Sequence, residues 1–380
     1  DAPKPRFDYL ELARTLAEVD GWKVDILDAA AVEDGPSPYL RGVCRILGLD
    51  KALTLATLRA SFRYDAIISL GDPLAVSIAM GHRLVPGHCR HVTTFISPTS
   101  DKKRLLHRLT GFAHELELVF VHTEAERRAA DDLFQAPCDR FQLIPMQVDH
   151  LWYRPSPTMP DRFTVGAAGV EFRDYATLVA AATGLPDMRF VLNPQSPWSR
   201  KDPGLDPKTL PPNVVLQMLE LDTIRDFYDG LSVIAVPLLE NDTAAGLTAV
   251  LQGMAMGKPV VCTRTAGRAS VITDGVNGLL VEPGDLRGWH AAILALRQDP
   301  DMAARLGTEA RRWIERHATM EHWVSAMREH LRRIFRKQPG AGRTAPAKTA
   351  PATTPAAAVI DTLSMRRRRQ PTAVGGRQPR

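Results

Sequence analysis

The chain has 380 residues, of which 44% are hydrophobic and 24% are charged, a composition and a length typical of two globular domains. Its formal net charge of +5 does not describe the whole chain, because residues 336–380 hold ten of the basic residues and only one acidic residue. The rest of the chain carries 38 basic and 42 acidic residues. This balance excludes the broad basic surface typical of nucleic-acid-binding proteins, so no specific nucleic-acid partner is expected.

Cysteine usage and hydropathy indicate a cytoplasmic protein. Cys44, Cys89, Cys138 and Cys262 lie far apart, without a C-x-x-C pair or a metal-ligand spacing, which is typical of reduced thiols. No apolar run reaches the roughly 18 residues of a membrane span, and no signal-peptide pattern is present. The sequence begins at Asp1 almost directly with a helical pattern, which leaves open that a first strand precedes it.

Short apolar runs alternate with helical patterns over residues 1–148. The runs are rich in β-branched residues and bounded by polar turns, as buried strands are. This alternation predicts an α/β domain with a parallel sheet and helices on both faces. The predicted strands are 22–27, 64–71, 91–97, 116–123 and 141–146, and the predicted helices include 7–19, 39–60, 72–83 and 123–134.

A stretch with three prolines, residues 148–162, indicates a domain boundary. A second alternating series predicts a second parallel-sheet domain over 149–318. A last helix at 319–336, with a return to the first domain left open, and a disordered basic tail over 337–380 complete the prediction. The strands predicted here are 163–169, 188–193, 213–218, 231–238 and 259–265, and the helices are 174–183, 222–229, 246–256, 285–297 and 301–316.

The stretch AAGLTAVLQGMAMGKPVV (244–261) predicts a helix that starts at a glycine and ends at Gly257. No Ser, Thr, Asp or Asn directly precedes Gly246, so the amides of Gly246, Leu247 and Thr248 lack an obvious local cap. Unpaired amides and the helix dipole together make an anion site. Because glycine has no side chain, a ligand can approach the backbone closely.

A diphosphate is the natural ligand of such a helix start. The preceding loop follows a strand of a parallel sheet, and open α/β sheets bind ligands at that edge. In the alternative interpretation, Thr243 caps the helix one turn early and Gly246 only packs. Spacing alone does not decide between the two.

Residues 246–285 resemble the donor-binding segment of retaining glycosyltransferases of the GT-B fold, family 4. The likeness is strong over roughly 140–335 and rests mainly on strand–helix alternation over 1–140. It implies two Rossmann-like domains whose parallel sheets face a cleft, with a nucleotide-sugar donor on the second domain and the acceptor mainly on the first. Three further stretches agree with the family: 143–155, 165–181 and 221–238.

The resemblance implies roles for individual residues. The loop and helix start at Ala245, Gly246, Leu247 and Thr248 would contact the donor diphosphate, and Arg173 matches a cationic position that neutralises phosphate. A guanidinium can bind two phosphate oxygens at once. The resemblance implies no metal, no further cofactor and no obligatory protein nucleophile, and no D-x-D motif occurs in the sequence.

The sequence departs from the family at two acidic positions, which here hold Ala244 and Gln252. Gln252 can still accept hydrogen bonds from ribose hydroxyls through its amide oxygen, although more weakly than a carboxylate. Ala244 cannot contact the sugar ring in the way that the family's acid does. Glu240, Asn241 and Asp242 on the same loop are candidates to replace that acid.

Two further assignments stay open at the level of sequence. Asp72 follows a strand of the first domain and is a candidate base toward the acceptor, with an N-cap role as the alternative. Arg173 could instead form a surface ion pair with Asp174 or Glu171. The catalytic residue is therefore not identified beyond the candidates Asp72 and Glu240.

The resemblance implies a retaining, metal-independent, hexosyltransferase-like enzyme. It would transfer a sugar from a UDP- or GDP-linked donor to an acceptor hydroxyl in bacterial glycan or glycolipid synthesis. The acceptor would be a glycan, a lipid-linked molecule or a small molecule. A peripheral contact with the inner membrane through first-domain helices is left open. The alternatives are a non-catalytic GT-B homologue that acts as a binding partner or scaffold, and a GT-B epimerase.

Overall fold

The structure is a computed structural model that divides into two compact units, and each is described by itself. Unit 1 comprises Asp1–Leu12, Ile96–Ser100 and Phe120–Gln338, and unit 2 comprises Ala13–Phe95, Asp101–Val119 and Pro339–Arg380. The predicted boundary between 148 and 149 stays a prediction. The described residues are 5–85, 89–96, 98, 100–135, 139–156, 160–195, 202, 204–219, 223–241, 243–265, 271–336 and 356–361.

Helices and strands alternate along the described part of the chain. The helices are α1 (Asp8–Glu18), α2 (Ala29–Glu33), α3 (Pro38–Leu47), α4 (Leu49–Ala60), α5 (Asp72–Leu84), α6 (Asp101–Thr110), α7 (Glu124–Phe134), α8 (Tyr175–Thr183), α9 (Ile224–Asp229), α10 (Leu247–Ala255), α11 (Leu286–Gln298), α12 (Pro300–His317) and α13 (Met320–Arg336). The strands are β1 (Lys23–Leu27), β2 (Ala66–Leu70), β3 (Arg90–Thr94), β4 (Leu118–Val121), β5 (Phe141–Leu143), β6 (Thr164–Ala168), β7 (Arg189–Asn193), β8 (Val214–Leu216), β9 (Val233–Val236), β10 (Val260–Thr263), β11 (Leu279–Val281) and β12 (Ala356–Asp361).

All ten predicted strands form, and the α/β class with parallel sheets is confirmed. The single helix predicted over 39–60 is wrong. Gly48 has φ +86° and ends α3 while it begins α4, a backbone conformation that glycine adopts without a steric cost. Four further elements, α2, α6, β11 and β12, were not predicted from the sequence.

The strand β12 corrects the prediction of a tail without structure over the whole of 337–380. Its residues AAAVID pair in parallel with β1 on one side and with β2 on the other. On the other side of β2 lies β3, so β12 is an inner strand of this parallel sheet in unit 2. Inner parallel strands pair all their backbone groups, which explains why a short apolar run within a Pro- and Arg-rich tail is ordered. The rest of the tail lies outside the described residues.

Unit 1 contains a parallel sheet of six strands in the order β11–β10–β9–β6–β7–β8. Side chains of β9 alternate between its two faces: Ile234 and Val236 pack in one buried cluster with α10 and α12, while Val233 and Ala235 pack in a second with α8 and α11. Both faces are thus covered by helices, as parallel sheets require. The chain runs from β6 outward to β7 and β8, and then returns to β9 beside β6.

Candidate functional site

The strand order places a topological switch point between β6 and β9. The two strands are neighbours, and the chain proceeds from them toward opposite edges of the sheet. Open α/β sheets bind ligands outside the carboxyl ends of the strands at such a point. The loop after β6 carries Arg173, and the loop after β9 leads to Gly246. The structure therefore brings together two segments that the sequence analysis singled out separately.

Backbone contacts hold the Arg173 turn against the loop after β9. Arg173 and Leu238 form a β-bridge, and the amide of Leu239 donates to the carbonyl of Phe172 at 2.9 Å. Phe172 has φ +51°, an uncommon conformation for a non-glycine residue that surrounding contacts must stabilise. The strained turn thus fixes the backbone position from which the side chain of Arg173 extends.

The guanidinium of Arg173 is anchored by backbone carbonyls. Its Nε and Nη2 donate to the carbonyl of Ala168 at 2.9 and 2.8 Å, and Nη1 donates to the carbonyl of Glu171 at 3.1 Å. Arg173 makes no ion pair with a carboxylate among the described residues, and Asp174 instead caps α8. A guanidinium has five N–H groups, so each terminal nitrogen keeps one N–H that can bind a ligand.

The guanidinium lies directly beside the start of α10. A Cβ atom placed on Gly246 would be 3.0 Å from Nη1 of Arg173, and Gly246 has φ +82°. Any side chain at this position would therefore strain the backbone and crowd the guanidinium. Gly246 is needed here both for its conformation and for the space above it.

The start of α10 has no side-chain cap, as the sequence predicts. The N-cap of α10 is Gly246 and not Thr243, whose Oγ1 accepts from the amide of Ala245, before the helix begins, at 3.2 Å. The amide of Leu247 donates to the carbonyl of Ala244 at 3.1 Å. Of the four predicted diphosphate contacts, the amides of Gly246 and Thr248 keep free N–H groups within the described part of the chain, whereas those of Ala245 and Leu247 are engaged.

A buried carboxylate that the sequence analysis missed lies on the same loop. Glu126, near the start of α7, accepts from the amide of Ala244 through Oε1 at 2.9 Å. Its Oε2 accepts from the amides of His122 and Thr123, each at 3.1 Å. The T-x-x-E pattern at 123–126 signals a capping box, which the structure contains. No sequence signal reports the contact with a residue 118 positions away.

The orientation of Gln252 suits the predicted ribose contact. Its Nε2 donates to the hydroxyl of Tyr153 at 2.9 Å, and its amide oxygen accepts no hydrogen bond from the described residues. The ring of Tyr153 in turn packs edge-on against Tyr228 with a 6.5 Å centroid separation. The amide oxygen of Gln252 is thereby left to accept a hydrogen bond from a ligand.

The candidates to replace the missing acid at Ala244 differ in accessibility. Glu240 is exposed, so its carboxylate can reach a ligand. Asn241 is buried, and it organises the loop by accepting from the amide and the hydroxyl of Thr243 at 3.2 and 3.1 Å. Asp242 lies outside the described residues. Of the two candidates that the structure describes, Glu240 and Asn241, only Glu240 therefore offers an accessible carboxylate.

Asp72 belongs to unit 2 and is the first residue of α5, whose N-cap is Gly71 and which has no side-chain cap, so the alternative N-cap role of Asp72 is wrong. The Nζ atom of Lys103 lies 2.6 Å from Oδ2 of Asp72 and 5.3 Å from the ring centroid of Phe95. Asp72 therefore stays a candidate base toward the acceptor, and its ion pair with Lys103 holds its carboxylate in place.

The described residues contain neither a metal-binding cluster nor a membrane-spanning helix. No group of three or more His, Cys, Asp or Glu side chains is arranged to hold a metal ion. No described helix combines the length and the hydropathy needed to cross a bilayer.

Residues 177–299 match the model of the family described as "Glycosyl transferases group 1". A D-inositol 3-phosphate glycosyltransferase of Corynebacterium kroppenstedtii is 26% identical over 340 residues, which cover 87% of this chain and 62% of the relative. A protein of the same name from Thermobispora bispora is 26% identical over 250 residues, 57% of each chain. The chain thus spans about three fifths of the length of these two relatives.

Solved structures confirm the predicted GT-B fold class. Anabaena HepE in complex with UDP-glucose superposes with a TM-score of 0.66 at 16% identity, covering 88% of this chain and 98% of that one. Sucrose-phosphate synthase of Thermosynechococcus elongatus gives 0.63 at 18% identity, covering 78% of this chain and 79% of the other. At these identities the likeness concerns the fold.

Proposed function

We propose, from the match of residues 177–299 to the model of the group 1 glycosyl transferases, that the chain transfers a sugar from a nucleotide diphosphate donor to an acceptor hydroxyl with retention of anomeric configuration. The observation that carries this proposal is the Arg173 guanidinium beside the uncapped start of α10, at the switch point of the sheet. A helix start and a cation at one place bind an anion with two phosphate groups.

The same arrangement stabilises the leaving group of the reaction. When the bond between sugar and phosphate breaks, negative charge develops on the diphosphate. The free N–H groups of Gly246, Thr248 and Arg173 are already oriented toward that charge, and preorganised donors of this kind lower the barrier without reorganisation. Positive charge supplied by the protein in this way is the basis for proposing metal-independent transfer. Glu240 is our candidate for the sugar hydroxyls and Asp72 for the acceptor.

The comparisons suggest which substrates to test first. HepE has been crystallised with UDP-glucose, which supports a UDP-linked donor over a GDP-linked one. The curated relatives are named for D-inositol 3-phosphate, which supports a small phosphorylated polyol as the first acceptor to test. Glycan and lipid-linked acceptors of bacterial envelope synthesis are the next class.

Calorimetric titration with UDP and GDP, followed by a transfer assay with UDP-glucose and inositol 3-phosphate, tests this function. We expect binding of UDP and release of UDP in the presence of an acceptor. If neither nucleotide binds, the proposed function is wrong. Binding of UDP without transfer to any acceptor class and without donor hydrolysis would instead favour the non-catalytic alternative, for which Ala244 is the motivation. UDP-sugar conversion without an acceptor would indicate the epimerase.

We further propose that α6 contacts an anionic lipid surface. Leu105 and Leu109 are 60% and 75% exposed and lie one turn apart, so they share one face of the helix. Exposed basic residues flank them on both sides: Lys102, Arg104 and Arg108. The apolar centre and basic rim are typical of helices that lie in a membrane interface. Lys103 points the other way, since it pairs with Asp72.

Vesicle binding checks this contact. We expect the chain to co-sediment with vesicles that contain phosphatidylglycerol and to do so less at high salt. The double variant L105E/L109E should lose binding by about tenfold or more, because each leucine contributes apolar burial in the interface. The matched control is V276E, since Val276 is 52% exposed in unit 1 and lies between the bridged residues Asp274 and Gly278 rather than on α6. Equal loss in both variants, or binding to neutral vesicles alone, would contradict the proposal.

A further inference from the structure

The segment before α10 is organised by three side chains, each of which accepts from one backbone amide of that segment. Asn241 accepts from the amide of Thr243 at 3.2 Å, and Thr243 accepts from the amide of Ala245 at 3.2 Å. Between these two, Glu126 accepts from the amide of Ala244 at 2.9 Å. Three consecutive amides are thus satisfied, and the free ones begin at Gly246. The position of the anion site depends on where this series ends.

Glu126 differs from the other two side chains because it comes from outside the loop. It is 3% exposed and lies in α7, which belongs to unit 1 together with the loop. Its capping-box contact with Thr123 needs only Oε2, so the bond from Oε1 to the amide of Ala244 is additional. Hydrogen bonds to a carboxylate are shorter and stronger than those between neutral groups. This bond therefore ties the loop to a rigid helix start.

The burial of Glu126 decides what kind of role it has. Both carboxylate oxygens accept from backbone amides, and almost no surface of the residue is accessible. Burial raises the pKa of the Glu126 carboxyl, while the amides of Ala244, His122 and Thr123 act in the opposite direction. A substrate hydroxyl cannot reach it without displacing the loop. Glu126 thus places a carboxylate next to Ala244, the position at which the resembled family has an acid. This carboxylate does not lie where it could contact the sugar.

We propose that Glu126 is a positioning residue for donor binding: by holding the amide of Ala244, it sets the loop so that the free amides of Gly246 and Thr248 face the diphosphate beside Arg173. This inference rests on the proposed function and specifies which residue outside the site maintains it. A carboxylate near a diphosphate repels it, so a Glu126 without a positioning role would weaken UDP binding, and its removal would tighten it. A positioning Glu126 predicts the opposite.

Calorimetric titration of the full chain with UDP separates these outcomes. We expect E126A to raise the Kd for UDP by about tenfold or more, the effect of losing a charged hydrogen bond. E126Q should lie between E126A and the unsubstituted chain, because its amide oxygen can still accept from the amide of Ala244. In the transfer assay the KM for the donor should rise while the KM for the acceptor stays constant.

Two neighbouring variants are matched controls. T123A removes the hydroxyl that accepts from the amide of Glu126 and that also hydrogen-bonds to its carboxyl, so it weakens the start of α7 but leaves the bond from the amide of Ala244 to Oε1 in place. E124A removes an exposed carboxylate from the same helix end that binds Arg127 and Arg128. Both should keep the Kd for UDP within about twofold, even if T123A lowers the melting temperature. Amide exchange over residues 243–248 should be faster in E126A and E126Q and unchanged in T123A.

A Kd for UDP in E126A and E126Q that is unchanged or lower overturns the positioning role while leaving the proposed function intact. An equal increase in the Kd for UDP in T123A and E126Q overturns the positioning role as well, because the loss of affinity would then follow the stability of α7. If E126A does not fold, the Kd for UDP of E126Q and its amide exchange over residues 243–248 test the positioning role by themselves. If the unsubstituted chain binds no UDP, the proposed function and this inference fail together.

Discussion

Replacing Arg173 with alanine is expected to raise the Kd for UDP by about a hundredfold or more. The substitution removes the two guanidinium N–H groups that face the ligand and the positive charge beside Gly246. Two charged hydrogen bonds together account for about 3 kcal/mol or more, which is at least a hundredfold in affinity. R173K should recover only part of the binding, since an ammonium lacks the planar fork that binds two phosphate oxygens.

The control for this substitution is R189A. Arg189 is an exposed residue at the first position of β7, at the amino end of the strand and thus away from the edge that carries Arg173. It changes the net charge by the same amount, so it reports any general electrostatic effect. A Kd for UDP in R173A within threefold of the unsubstituted chain, with an intact melting transition, would contradict the role of the guanidinium.

Removal of residues 337–380 is expected to destabilise unit 2 severely. The truncation deletes β12, whose backbone pairs with five residues of β1 and five residues of β2. Both neighbours would then expose unpaired backbone groups in the interior of a parallel sheet, each of which is costly. We expect the melting temperature to fall by at least about 10 °C, with faster amide exchange in β1 and β2 than in β6 and β9.

A shorter truncation is the control for that experiment. Removal of 362–380 deletes the four consecutive arginines at 366–369 but keeps β12. It should leave the melting temperature within about 2 °C, because it touches no described pairing. A peptide that spans 352–363 should restore part of the stability to the longer truncation. If the chain without 337–380 melts at the same temperature and protects β1 and β2 equally, the pairing of β12 is not a feature of the folded protein.

Much of the fold follows from the sequence because strands of parallel sheets are short, apolar and β-branched. Every run of this kind that the sequence analysis selected is a strand. The errors lie where local composition and tertiary context disagree. The helix α6 reads DKKRLLHRLT, which has too few apolar residues to indicate a buried helix face. In the tail, β12 gains its order from backbone pairing with distant strands, which local patterns do not report.

The site could be predicted in part for a similar reason. The absence of a cap before Gly246 is a local property, and the structure contains the uncapped start. The closeness of Arg173 to Gly246 follows from the strand order, since β6 and β9 are separated in sequence but adjacent in the sheet. Glu126 was missed because its partner Ala244 offers only a backbone amide. A backbone donor leaves no residue-type signal.

The location of a bound diphosphate tests the central claim most directly. A crystal structure of the chain with UDP should show phosphate oxygens within about 3 Å of the amide of Gly246 and of a terminal nitrogen of Arg173, the distance of a charged hydrogen bond. It should also show the ribose hydroxyls near the amide oxygen of Gln252. UDP bound elsewhere on the chain, or phosphate oxygens that contact neither Gly246 nor Arg173, would contradict the account.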